Sequence, residues 1–221
     1  MKQGWILPGV ILGSLAILAL ALSIPGREHN VRDNLPWQIE ITTTGLTRVF
    51  GLVIGESSLH QFEAQFKEPA EVTMFVTEEG EKVVEAYFDR VLLSAIRAKV
   101  IAVIDIDDAE LDAIYERGAR VAGRGDGGQK VSLNSADLDR IYNKAVASIT
   151  YIPSTSLDAE LLLQRFGEPT NKVFEEAADV THWLYPEQGL DIVLSTNGKV
   201  VIQYLPPANF NQVTAPLLTM E

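Results

Sequence analysis

Ile54-Gly55-Glu56-Ser57-Ser58-Leu59 leading to Gln65-Phe66-Lys67-Glu68-Pro69, and Ile152-Pro153-Ser154-Thr155-Ser156-Leu157 leading to Arg165-Phe166-Gly167-Glu168-Pro169, decide the reading of this chain. The two Glu-Pro pairs lie 100 positions apart. In the first copy Ser58 with Gln61 makes a capping-box pattern. Leu59, Phe62 and Phe66 then fall on one helical face. In the second copy Thr155 and Ser156 offer N-caps, Asp158 favours the helix N-terminus, and Leu157, Leu161, Leu162 and Phe166 form the apolar face. Each Glu-Pro pair ends its helix, because proline restricts the residue before it to extended geometry.

Working outward, each copy leads into strands. Residues 71–76, 82–88 and about 99–106 read as strands after Pro69, with a turn at Glu78-Glu79-Gly80. After Pro169, Val173-Phe174, residues 180–185, residues 190–194 and residues 200–205 read as strands, the last two as a hairpin around Asn197-Gly198. Upstream, Trp37, Ile39 and Ile41 alternate with polar residues, and residues 47–53 read as a further short extended segment. Between the copies, residues 109–115 and 136–142 share five of seven positions. Each follows a good N-cap, Asp107 for the first and Asn134 or Ser135 for the second, and reads as a short amphipathic helix, the first with Leu111, Ile114 and Tyr115 on one face and the second with Leu138, Ile141 and Tyr142.

The chain has 221 residues, 47% of them hydrophobic, and a formal charge of −12. That acidity argues against nucleic acid as a partner, since phosphate binding needs a dense basic surface. Residues 5–24 form an uncharged apolar run long enough to cross a bilayer as a helix. Ala19-Leu20-Ala21 also fits a signal-peptide cleavage site, so retention as an inner-membrane anchor and release as a soluble periplasmic protein both stay open. Either way the remainder is exported. With no cysteine, structural disulfides, thiolate metal sites and thiol catalysis are excluded.

No catalytic, cofactor or metal site emerges from the motifs. Residues 118–130 hold five glycines, but Gln129 and Val131 break the Gly-Lys-Ser/Thr order that a phosphate loop needs. Asp105, Asp107 and Glu116 mimic part of a calcium loop, yet Ala109 and Glu110 stand where an oxygen ligand and a glycine belong. His29, His60 and His182 have no metal-type spacing, and His182, in a strand beside Trp183, reads as structural. For partner binding the candidates are Trp37 with Pro36, at the start of an edge strand, and Arg124 and Asp126 of an Arg-Gly-Asp tripeptide in the glycine-rich segment.

The hydrophobic-Gly-x-Ser stretch, short helix, Phe-Gly-Glu-Pro block and small antiparallel sheet resemble the SmpA/OmlA (BamE-like) family, and the unit is similar to that of tandem β-lactamase-inhibitor proteins. The resemblance is best over residues 155–205, weaker over 54–106, and covers around half the chain. It implies a non-enzymatic scaffold or inhibitor of the bacterial envelope. Lys67 departs from the glycine of the block, and the lipid-acceptor cysteine of the SmpA/OmlA lipoproteins is missing, so their outer-membrane assembly role does not carry over.

These readings predict an α+β protein in which two helix-plus-antiparallel-sheet modules flank a helical pair behind one N-terminal transmembrane helix, with a continuous sheet shared by the modules left open. The expected divisions are a cytoplasmic N-terminus (1–4), anchor or signal peptide (5–24), tether (25–36), first module (37–106), helical pair with glycine-rich loop (107–148), second module (149–207) and loose tail (208–221). The expected function is binding of another envelope or membrane protein in the periplasm, without catalysis or cofactor. The rivals are a cell-envelope hydrolase using acidic residues and a periplasmic ligand-binding or sensor domain.

Overall fold

A computed structural model describes residues 34–93, 96–118, 120–123 and 128–218. Its centre is one antiparallel sheet of ten strands. In chain order after a three-stranded sheet of β1 (Glu40–Ile41), β2 (Thr47–Val49) and β3 (Leu52–Val53), the elements begin with helix α1 (Leu59–Phe66). Then come β4 (Glu71–Val76), β5 (Lys82–Leu93), β6 (Ile96–Ile104), α2 (Asp108–Glu116), β7 (Arg120–Gly123), β8 (Gln129–Ser132) and α3 (Ser135–Ile141). The second half holds β9 (Val146–Pro153), α4 (Ala159–Phe166), β10 (Asn171–Glu175), β11 (Val180–Tyr185), β12 (Leu190–Ser195), β13 (Val200–Tyr204) and α5 (Asn211–Leu218).

The strand order β10-β11-β12-β13-β9-β6-β5-β4-β8-β7 corrects the expected architecture. There are no separate modules flanking a helical pair. The meanders that follow Pro69 and Pro169 run inward from opposite sides and meet on β9, which bonds to β6 on one edge and β13 on the other. The segment between them is not simply two helices and a loop. It folds back as the hairpin β7–β8 and extends the sheet beyond β4. The first polar block is also stitched to the start of β9: Gly55 N–H donates to the Val146 carbonyl at 2.8 Å, and Val146 N–H donates to the Ser57 carbonyl at 3.0 Å. One shared sheet lets each half bury apolar surface that a sheet of three or four strands alone would leave wet.

Helices α1 to α4 and the small sheet cover one face. Leu59, Phe62 and Phe66 of α1, Leu111 and Ile114 of α2, Ile141 of α3, and Leu162 and Phe166 of α4 join Val84, Ala86, Phe88, Val100, Ala102, Ile192 and Ile202 in one core. At its heart Phe50 packs within 6.0 Å of Phe66, 5.5 Å of Tyr151 and 5.4 Å of Tyr204 between ring centroids. A bulge after Phe88 leaves Asp89 and Arg90 exposed and returns Val91 and Leu93 to the core side.

Local chemistry explains the helix ends. Gln61 Oε1 accepts from the Ser58 N–H at 2.8 Å, and Asp107 and Asn134 cap α2 and α3. For α4 the cap is Asp158, which accepts from the Leu161 N–H at 2.7 Å, rather than Thr155 or Ser156. Helix α1 closes on Lys67 in the left-handed region at φ 53°. The C-terminal stretch expected to be loose is helical through Leu218: Phe210 and Leu217 pack with Leu184 and Leu205 in a second apolar cluster. The strand expected over residues 37–44 shrinks to the exposed pair Glu40–Ile41. Residues 5–24 lie outside the described residues, and among the described ones no helix is long and apolar enough to cross a membrane.

Candidate functional site

The second face of the large sheet is the candidate site. Side chains alternate along a strand, so cross-strand pairs identify the face. Thr73 pairs with Glu85, Glu85 with Val103, and Val103 with Ser148; Glu71 pairs with Tyr87, Tyr87 with Ile101, and Ile101 with Thr150. Phe75, Val83, Tyr87, Ile101, Val103, Thr150 and Ile152 on this face are half-buried, whereas the opposite-facing Val84, Ala86, Phe88, Val100 and Ala102 are buried. Among the described helices, α5 is the one whose apolar residues pack on this second face, and it lies over β10 to β13. The half built from β4, β5 and β6 carries no helix from among the described residues.

Among the described residues, two hollows stand out on this face. One, of about 350 Å³, is lined by Glu71, Thr73, Phe75, Glu85, Tyr87, Ile101 and Lys130. Its rim is charged: Lys130 Nζ donates to Glu71 Oε1 at 3.0 Å, and Tyr87 donates its hydroxyl to Asp89 Oδ1 at 2.8 Å. An apolar floor inside a charged rim is the usual anatomy of a protein-binding patch.

The other hollow, of about 420 Å³, lies between the sheet and α5 and reaches Val103, Thr150, His182, Asp191, Gln203 and Leu217. His182 is clasped there. Its Nδ1 lies 2.8 Å from Asp191 Oδ2 and its Nε2 lies 3.1 Å from Glu175 Oε2. The hydrogen bond to Asp191 raises the His182 pKa above its ordinary 6.5, with the Glu175 contact acting in the same direction against the cost of burial. Burial pushes Asp191 up from the ordinary 3.8, while His182 pulls it back. A neutral imidazole has one N–H and can donate to one carboxylate, whereas an imidazolium donates to both, so this geometry favours the charged ring. Asp191 Oδ1 is buried and has no hydrogen-bond partner among the described residues.

The residues singled out from the sequence fall elsewhere. Pro36 is buried, and its carbonyl accepts from the Tyr204 hydroxyl at 2.9 Å. Trp37 packs against the core beneath the Arg165 guanidinium, 4.8 Å from its ring centroid. Both tie the start of the described chain to the main body, on the side opposite the hollows. Arg124 and Asp126 lie outside the described residues. His182 does sit in a strand beside Trp183, as read. Its two carboxylate partners went unnoticed, although an aspartate inside the apolar run Leu190-Asp191-Ile192-Val193-Leu194 signals a buried charge needing a partner. Among the described residues no group of three His, Cys, Asp or Glu is placed to hold a metal ion.

No protein-family model matches the chain, and no curated protein matches it. Among solved structures, a DUF4309 family protein (YjgB) from Bacillus subtilis aligns over 73% of this chain and 88% of its own, at 11% identity and a TM-score of 0.32. A likeness at that level carries no argument about fold or function.

Proposed function

We propose that this chain is a non-catalytic protein of the bacterial envelope that binds another protein through the second face of its sheet. The observation that supports this most is the β4–β5–β6 half of that face: Phe75, Val83, Tyr87, Ile101 and Val103 present half-buried apolar surface, and the acidic and basic pairs at its rim are solvent-accessible. A partner with an apolar centre flanked by charges of both signs suits it. The apolar run of residues 5–24 supports export, as an anchor at the inner membrane or as a leader removed on export. The resemblance to SmpA/OmlA scaffolds points the same way.

The test is site-specific photo-crosslinking of the full-length chain in membranes, with the crosslinker placed at Tyr87 or Ile101 on the proposed face and at Phe174 on the opposite face. The reading expects one protein adduct from Tyr87 and Ile101, abolished by Val103→Asp, and none from Phe174. Adducts from Phe174 alone, or adducts insensitive to Val103→Asp, overturn it. The mass of the mature chain distinguishes a retained from a cleaved N-terminus.

A further inference from the structure

On the reading that the β4–β5–β6 face binds another protein, we propose that the bound element is a single amphipathic α-helix, laid beside α5. Backbone hydrogen bonding selects the element. The floor side chains Val83, Tyr87, Ile101 and Val103 come from β5 and β6, and each of these strands has a hydrogen-bonded strand on both sides. The floor is therefore closed to an extended peptide that would add as a further strand. An extended segment laid flat across it would press its own N–H and C=O groups against apolar side chains, at the cost of burying them unpaired. A helix satisfies those groups internally and presents only side chains.

The same sheet face already holds one element of this kind. Helix α5 and the residue before it dock on β10 to β13 through Phe210, Val213 and Leu217, spaced three and four positions apart, against Val173, Leu184 and Leu205. The strip formed by β4, β5 and β6 is about 14 Å wide at about 4.8 Å per strand, and a helix about 10–12 Å across fills it. A second sheet would pack about 10 Å above the strip, which is the height that α5 takes up next to it, so a broad sheet collides with α5. The hollow of about 350 Å³ between Phe75, Tyr87 and Ile101 receives one large apolar anchor from the middle of the helix stripe. Lys130 beside Glu71 and Lys99 beside Asp89 stand at the rim of the face, so charges of both signs along the borders of that stripe complement it.

Photo-crosslinkers placed one at a time at Val83, Tyr87 and Ile101 of the full-length chain in membranes, with each adduct mapped to the residue by tandem mass spectrometry, read the periodicity of the bound segment. The expected result is attachment to one segment of one partner, at residues three, four or seven apart, as a single helical face requires. Attachment at alternate residues, or at segments scattered along the partner, overturns the helix and leaves the protein-binding face standing. Attachment to this chain's own sequence, in the same or a second copy, overturns both. No adduct from any of the three positions removes the protein-binding face and the helix with it.

Discussion

Replacing His182 with alanine removes the ring that bridges Asp191 and Glu175. The His182 side chain is 11% exposed, Asp191 0% and Glu175 21%. Removing one partner of a buried pair costs about 3–5 kcal/mol, because the other charge is stranded. Glu175 reaches water and adds little, so the cost falls mainly on Asp191, which in the variant has neither oxygen satisfied. At about 2–4 °C per kcal/mol for a chain of this size, the melting temperature is expected to fall by roughly 6–20 °C. The pH dependence adds a signature. The folded His182 pKa is raised above 6.5, so the stability it contributes is complete below pH 6.5 and is lost as pH rises through the folded value. Across that window the folded state holds up to one extra proton, and unfolding free energy declines at a limiting slope of about 1.4 kcal/mol per pH unit. In His182→Ala the decline is absent there. The decline due to Asp191, which burial already raises in the native protein, is expected to grow, because the variant loses the His182 contact that pulls that carboxyl back down. Urea unfolding across this pH range measures both, provided the m-value is unchanged. If the midpoint shift corresponds to less than about 1 kcal/mol, or the decline above pH 6.5 persists in the variant, the charged clasp is refuted.

Four further outcomes follow from the geometry. Asp137 is buried and accepts from Arg117 at 3.2 and 2.8 Å and from Asn134 at 2.6 Å, joining the end of α2 to the start of α3. Asp137→Ala is expected to cost about 2 kcal/mol, below the full buried-pair value because Arg117 is half-exposed and rehydrates. Arg117 holds the Asp137 carboxyl below its ordinary 3.8, so this stability is present above that pH and lost as pH falls through the folded value; Asp137→Asn should flatten the acid limb of a stability profile. Lys67→Gly should raise stability by about 0.5–1 kcal/mol in urea unfolding, since Lys67 occupies the left-handed cap at φ 53° where glycine carries no Cβ penalty. Gly189→Ala should destabilise by about 3 kcal/mol or more, because φ is +61° and a Cβ would fall 1.8 Å from the Leu205 carbonyl oxygen; near wild-type thermal stability would contradict that packing.

Much of the local structure was legible along the chain. The caps at Ser58, Asp107 and Asn134, the Asn197-Gly198 hairpin and the apolar alternation of β4, β5 and β6 are encoded by neighbours within a few residues, and they form where the pattern places them. The repeated Phe-x-Glu-Pro block correctly marks two helix ends, each leading into a meander. What misled was treating local repetition as separate modules. Strand pairing depends on which edges meet, and nothing within residues 146–153 says that they bridge two meanders. The hairpin β7–β8 escaped for a related reason: glycine richness marks where a chain turns but not that its flanks pair with a distant edge.

The candidate site shows the same division. The sequence by itself determined that strands lie within residues 71–106 and 173–205, that cysteine chemistry is absent, and that a charged Asp191 interrupts an apolar run. These follow from side-chain type and period alone. Only the tertiary structure decided which face the helices cover, because both faces of the strands are apolar enough to be buried. It likewise took the registers β10–β11 and β11–β12 to bring Glu175 and Asp191 to the two nitrogens of one imidazole, since those contacts are set by sheet pairing and not by proximity in the chain.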